Sequence, residues 1–141
     1  MKSIHALLLF IALSALLTAC GEDTPPKPAT FAELCTSMES NTVVSVTGHV
    51  SLPSFLTCQE GECRVNFGDG ESGIMATIRA SDQPTSNMMQ FPPDQYTADD
   101  LHLVLDDGTT ADRYTTVSVT GRVKRPSAND CYLDVSSLRL P

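Results

Sequence analysis

A seven-residue phrase occurs twice in this chain. Val44-Ser45-Val46-Thr47-Gly48-His49-Val50 returns as Val117-Ser118-Val119-Thr120-Gly121-Arg122-Val123, differing only at His49 and Arg122. Each copy alternates apolar and polar residues, the period of a half-buried β-strand whose side chains point to opposite faces in turn. The flanks of the two copies do not match, so the repetition speaks for a shared structural demand rather than a duplicated domain. A glycine inside a long alternating strand permits a bulge or a sharp coil, and lets the strand bend around a small closed barrel.

The same period runs through most of the chain beyond residue 42. The first strand carries Val44, Val46, Gly48, Val50 and Leu52 on one face. Cys63, Val65 and Phe67 alternate with Arg64 and Asn66, Gly68-Asp69-Gly70 makes a turn, and Ile74, Ala76, Ile78 and Ala80 alternate with Met75, Thr77 and Arg79. Pro84, Pro92 and Pro93 mark residues 82–100 as an irregular excursion. A further strand is expected over 101–105, closed by Asp106-Asp107-Gly108, another over 114–124, and a last one over 131–138 with Leu133 and Val135 inward. Ahead of the strands, Thr30-Phe31-Ala32-Glu33 is a capping-box pattern, and Phe31, Leu34, Cys35 and Met38 recur at helical spacing. That spacing predicts a short helix over 31–39, docked by this stripe and ended by Ser40-Asn41.

A long first strand with a mid-strand glycine, a hairpin, an excursion after the third strand, a Val-x-Val-x-Gly-x-Val strand and a short final strand together resemble the OB-fold. More narrowly, the chain resembles small bacterial lipoproteins that carry a tRNA-anticodon-binding-like OB domain. The resemblance covers residues 42–140. It implies a mainly β fold, a small closed OB-like barrel of five to six strands with a short N-terminal helix, in one domain over 30–141. The strand at 101–105 exceeds the minimal five-strand plan.

Lys2 followed by an almost unbroken apolar run over 4–17 reads as a secretory leader over 1–19, too short for a comfortable membrane span of about 20 residues. Leu17-Thr18-Ala19-Cys20 resembles the lipobox of bacterial lipoproteins. That resemblance implies cleavage before Cys20, which then carries a thioether-linked diacylglyceryl group and a further N-acyl chain such as palmitate. One acyl chain anchors only marginally and several anchor stably. Pro25, Pro26 and Pro28 make residues 20–29 an extended, lipidated tether. The expected location is the extracytoplasmic side of a bacterial membrane; Gly21 rather than Asp after Cys20 favours the periplasmic face of an outer membrane where one exists.

Export places Cys35, Cys58, Cys63 and Cys131 where thiols oxidise. Four cysteines allow three pairings, which sequence does not decide. The preferred set joins Cys58 to Cys63 across a turn containing Gly61, leaving Cys35 for Cys131. No Cys-x-x-Cys occurs and the histidines stand apart from the cysteines, so neither a zinc site nor a redox pair is expected.

Nine Lys plus Arg against seventeen Asp plus Glu give a net charge of -8, which repels polyanions overall. OB-folds present ligands on the face of their second and third strands, and the outward residues there are Arg64, Asn66, Met75, Thr77 and Arg79, none of them aromatic. Nucleic acid is therefore not expected as a partner. Arg122, Lys124 and Arg125, before the last strand, form the one basic cluster. Solvated charge at a strand end is its plainer reading. Together with Arg64, Asn66 and Arg79 it forms a candidate surface for an acidic peptide, a carboxylate-bearing glycan or a lipid headgroup. Asp106, Asp107 and Asp112 around Gly108 lack the spacing of a calcium loop and read as turn formers. No catalytic motif is present, and His49 sits at an outward strand position. The expected protein is a non-enzymatic, lipid-anchored cell-envelope binding module with no cofactor or metal. Its partners are the membrane, through the lipid, and a protein or envelope polymer. The alternative is a small inhibitor or accessory subunit of an envelope enzyme, acting through the disulfide-closed loop 58–63.

Overall fold

The computed structural model describes residues 24–141. The expected leader over 1–19, the acylated Cys20 and the first residues of the tether lie outside the described residues. In chain order the elements are β1 (Lys27–Pro28), α1 (Phe31–Leu34), β2 (Val43–Ser51), β3 (Thr57–Gln59), β4 (Glu62–Gly68), β5 (Gly73–Ser81), β6 (Met88–Gln90), a 3-10 turn (Ala98–Asp100), β7 (Leu103–Val104), β8 (Thr110–Ala111), β9 (Val117–Ser127) and β10 (Asp130–Arg139).

Five strands close on themselves. β2 pairs antiparallel with β4 and with β9, β4 with β5, and β9 with β10, while β10 runs parallel to β5 and completes the ring. This is the OB-like barrel, mainly β and closed, that the resemblance implied. The remaining short strands hang from it: β3 extends β4, and β6, β7 and β8 form a flap from the end of β5. Apolar residues at the inward positions fill the middle. Phe67 is 1% exposed and meets Phe31 edge to face with ring centroids 4.8 Å apart. Leu34, Val44, Val50, Val65, Ile78 and Leu133 complete that packing.

The repeated phrase pairs with itself. Val44 faces Gly121, Ser45 faces Thr120, Val46 faces Val119, Thr47 faces Ser118 and Gly48 faces Val117, in unbroken register. The shared demand is close approach. A Cβ on Gly48 would stand 2.6 Å from the Gly68 carbonyl oxygen and 2.8 Å from the Phe31 ring, and one on Gly121 would stand 2.5 Å from the Asp134 carbonyl oxygen. The bulge expected of these glycines lies instead on β10, between Val135 and Ser137 and opposite Gly121. It passes the inward position to Leu138 and leaves Val135 half-buried.

Other expectations shift for local reasons. The helix closes its capping box, with the Thr30 N–H donating to Glu33 Oε2 at 2.8 Å, but ends after one turn. Phe31, Leu34 and Met38 are buried, whereas Cys35 has left the stripe and is exposed at the barrel rim. Residues 101–105 form a strand only at Leu103–Val104, although Leu101, Leu103 and Leu105 are all buried. Asp112 binds the Tyr114 N–H and the Thr115 hydroxyl in a tight turn, so β9 starts at Val117 and runs on to Ser127. At the other end, Lys27 and Pro28 pair in parallel with Val44 and Ser45, so the last residues of the expected tether lie against β2. Both disulfides of the preferred set are formed: Cys35–Cys131 with Cα atoms 5.9 Å apart and Cys58–Cys63 with Cα atoms 4.0 Å apart. The second spans directly opposed residues of β3 and β4, joined by a turn whose central residues, Glu60 and Gly61, both have positive φ as a tight hairpin requires.

Five carboxylates, four exposed and Asp100 half-buried, close local turns, and each is held below its ordinary pKa. The main cause is the Thr30 backbone for Glu33, the Ser72 backbone for Asp69, the Thr97 backbone for Asp100, and the hydroxyls of Thr109 and Thr115 for Asp107 and Asp112. Because the folded state favours the charged form, their stabilisation is present above the unfolded values of 4.5 and 3.8 and is lost as pH falls through the lowered ones. The melting temperature is therefore expected to hold from neutral pH down to that range and then to fall. Calorimetry across the acid limb checks this, and a rise on acidification would contradict it.

Candidate binding face

The register of three strands builds one outer wall. Arg64 on β4 lies opposite Thr77 on β5, and Asn66 opposite Met75. The parallel β10 then sets Tyr132 beside Met75 and Asp134 beside Thr77. Arg64 leans across Thr77 so that its guanidinium carbon stands 5.9 Å from the centroid of the Tyr132 ring. The Thr77 hydroxyl faces Asp134 Oδ1 at 3.5 Å. The β3–β4 hairpin forms the rim, and a groove of about 370 Å³ runs between Thr57, Gln59 and Glu60 on that rim and Glu62, Arg64, Thr77 and Tyr132 on the strands.

Tyr132 is the residue that sequence reading missed. Alternation around the inward Leu133 already turned it outward, but only the parallel β5–β10 pairing places it on the same wall as Arg64. The wall expected to lack an aromatic has one. It continues past Asn66 and Met75 into a wider hollow of about 850 Å³ that includes His49, Arg113 and Tyr114. There Arg113 pairs with Asp99 at 2.8 Å and lies over the Tyr114 ring at 4.5 Å, and Tyr114 is 68% exposed. His49 is exposed, with Nε2 3.1 Å from the Thr116 hydroxyl.

The six polar residues expected to act together form two groups. Arg64, Asn66 and Arg79 point outward from β4 and β5, with Arg79 directly across from Glu62. Arg122, Lys124 and Arg125 belong to β9, and the closed ring puts β9 two strands away from β4. Nor are they merely solvated. Arg122 donates to the Asn41 carbonyl at 3.2 Å, Lys124 to Asn41 Oδ1 at 3.0 Å and Arg125 to the Leu34 carbonyl at 3.3 Å, so together they hold residues 34–41 against the barrel. Asp107 and Asp112 accept from Thr109 and Thr115 within their own turns, which occupies them as turn formers.

No family model and no curated protein matches the chain. Among solved structures it is similar to a protein assigned as an aspartyl-tRNA synthetase from Leishmania major Friedlin, at 14% identity and a TM-score of 0.47, covering 85% of this chain and 21% of that one. It is similar also to the Stn1-Ten1 complex of S. pombe, at 13% identity and a TM-score of 0.41, covering 84% of this chain and 79% of that one. The chain thus spans about a fifth of the first of these structures. The expectation that nucleic acid is no partner is corrected here. It assumed a wall without aromatics, and Tyr132 stands on that wall beside Arg64. What strand order and closure establish is the fold: an OB-like barrel.

Proposed function

We propose that this chain is a non-enzymatic, lipid-anchored binding module of the bacterial cell envelope, exported through the leader at 1–19 and held by acyl chains on Cys20. Its ligand seat is the wall of β4, β5 and β10. The observation that carries the reading is the pairing of Arg64 with Tyr132 on that wall, because a cation beside an aromatic face offers charge and apolar contact at one spot. Glu60, Glu62 and Asp134 surround the pair and oppose a dense run of negative charge. An acidic protein segment or an envelope polymer with spaced carboxylates suits the seat.

A second reading makes the chain a small inhibitor or accessory subunit. It is favoured by the cross-linked β3–β4 hairpin and by Phe55 just before it, 84% exposed. A rigid projection loses little entropy on binding.

Acyl-protein purified in detergent should be titrated with an acidic peptide, a uronate-containing glycan fragment and an oligothymidylate. Arg64→Glu and Tyr132→Ala are each expected to weaken the bound probe about tenfold, as one stacked contact of about 1–3 kcal/mol implies. Unchanged affinity in both variants would move the seat elsewhere. Loss on deleting Phe55 and the hairpin tip instead would favour the second reading, and tightest binding to the oligothymidylate would make nucleic acid the ligand.

A further inference from the structure

Further round the barrel, a groove of about 690 Å³ runs between the N-terminal segment and the β9–β10 seam. Thr24, Pro25 and Lys27 form one bank, Arg122, Asp134 and Ser136 the other, and Asn41 closes one end. Lys124 reaches the same Asn41. After Lys2, Lys27 and Lys124 are the only lysines in the chain, and both stand here. No carboxylate lies within ion-pair distance of Lys27, Arg122 or Lys124 among the described residues, where the one ion pair joins Arg113 to Asp99. Asp134 is the single carboxylate lining the groove; it stands across from Arg122 in the β9–β10 register and accepts from the Thr77 hydroxyl at 3.5 Å. A chain of net charge -8 thus gathers Lys27, Arg122 and Lys124 around a groove that, among the described residues, one carboxylate lines.

Position gives this charge a meaning. Thr24 is four residues from Cys20, a span of at most about 14 Å when fully extended. The headgroup layer of a bilayer is itself about 5–8 Å deep on each side. We infer that the groove between β1 and β9 faces the membrane, with Lys27, Arg122 and Lys124 taking the phosphate of an anionic lipid headgroup. This rests on the acylation of Cys20 proposed above. It fixes the orientation of the module: the groove between β1 and β9 turns to the bilayer, and the β4–β5 side of the ligand seat turns away from it.

The test uses the intact acyl-protein in two sets of vesicles, phosphatidylcholine alone and phosphatidylcholine with phosphatidylglycerol, and reads modification of each lysine by an amine-reactive reagent. In the anionic vesicles Lys27 and Lys124 are expected to react about fivefold more slowly, the scale of one cation at an anionic surface, and high salt should restore the rate. Arg122→Glu should abolish protection of Lys27, and Lys27→Gln should reduce that of Lys124. Equal rates in both vesicles overturn the inference, as does equal protection by inorganic phosphate in phosphatidylcholine vesicles, which would mark an ion site instead. Mass spectrometry of the same sample separates the two failures: an unacylated Cys20 sinks the proposed anchoring, whereas an acylated protein without protection sinks only the orientation.

Discussion

Replacing Cys35 and Cys131 together by serine is expected to lower stability by about 4–5 kcal/mol, the largest effect of any change to the side chains at the barrel surface. The bond joins residues 96 positions apart, and the cost of leaving that loop open falls on the unfolded chain, whose freedom grows with loop length. At this domain size, the loss corresponds to a fall in melting temperature of about 15–20 °C. Removing Cys58 and Cys63 closes no comparable loop, since they are 5 positions apart, and should cost about 2 kcal/mol. Calorimetry of both double variants gives the ratio directly. Equal shifts would show that the long bond stabilises through local contacts rather than by confining the unfolded state.

The second large effect is expected at Gly121. A methyl group there meets the Asp134 carbonyl oxygen at 2.5 Å and the Leu133 side chain at 3.1 Å, and a backbone oxygen inside a closed ring has nowhere to retreat. Gly121→Ala should therefore cost about 3 kcal/mol, the upper end of ordinary overpacking. Gly70→Ala is the control. Nothing lies within 4 Å of its added carbon, and only the positive φ of 95° resists the change, so about 1 kcal/mol is expected. Chemical denaturation of the two variants tests the order. A milder Gly121→Ala would mean that β9 and β10 can separate without opening the barrel.

The barrel is legible in the sequence because alternation is a local property that closure does not disturb. Val44 to Val50, Cys63 to Phe67 and Ile74 to Ala80 point where their parity says. The helix is shorter than its apolar stripe implies. Phe31, Leu34 and Met38 are all buried, yet the chain leaves helical geometry between Leu34 and Met38 and brings Met38 home through a turn. β9 starts three residues later than its pattern suggests because a side-chain hydrogen bond at Asp112 competes with the ladder, which no apolar pattern records. Most of the candidate site is hidden for a different reason. Parity places Arg64, Met75 and Tyr132 outward, yet only strand neighbourhood unites them, and the parallel β5–β10 contact joins residues 57 positions apart. The same closure splits Arg64 from Arg122, which outward parity alone runs together.

The self-pairing phrase leaves the β2–β9 seam without an address. Val44 to Gly48 and Val117 to Gly121 are identical strings, and each is the other's antiparallel complement about a midpoint at Val46 and Val119. Either copy therefore offers the same template to its counterpart in a neighbouring molecule as to its own. Cys35 precedes the first copy and Cys131 follows the second, so the long disulfide encloses both in one covalent ring. Once that ring is shut, exchange of these strands between molecules requires threading one closed loop through another, and the ambiguity written into the sequence is resolved by topology.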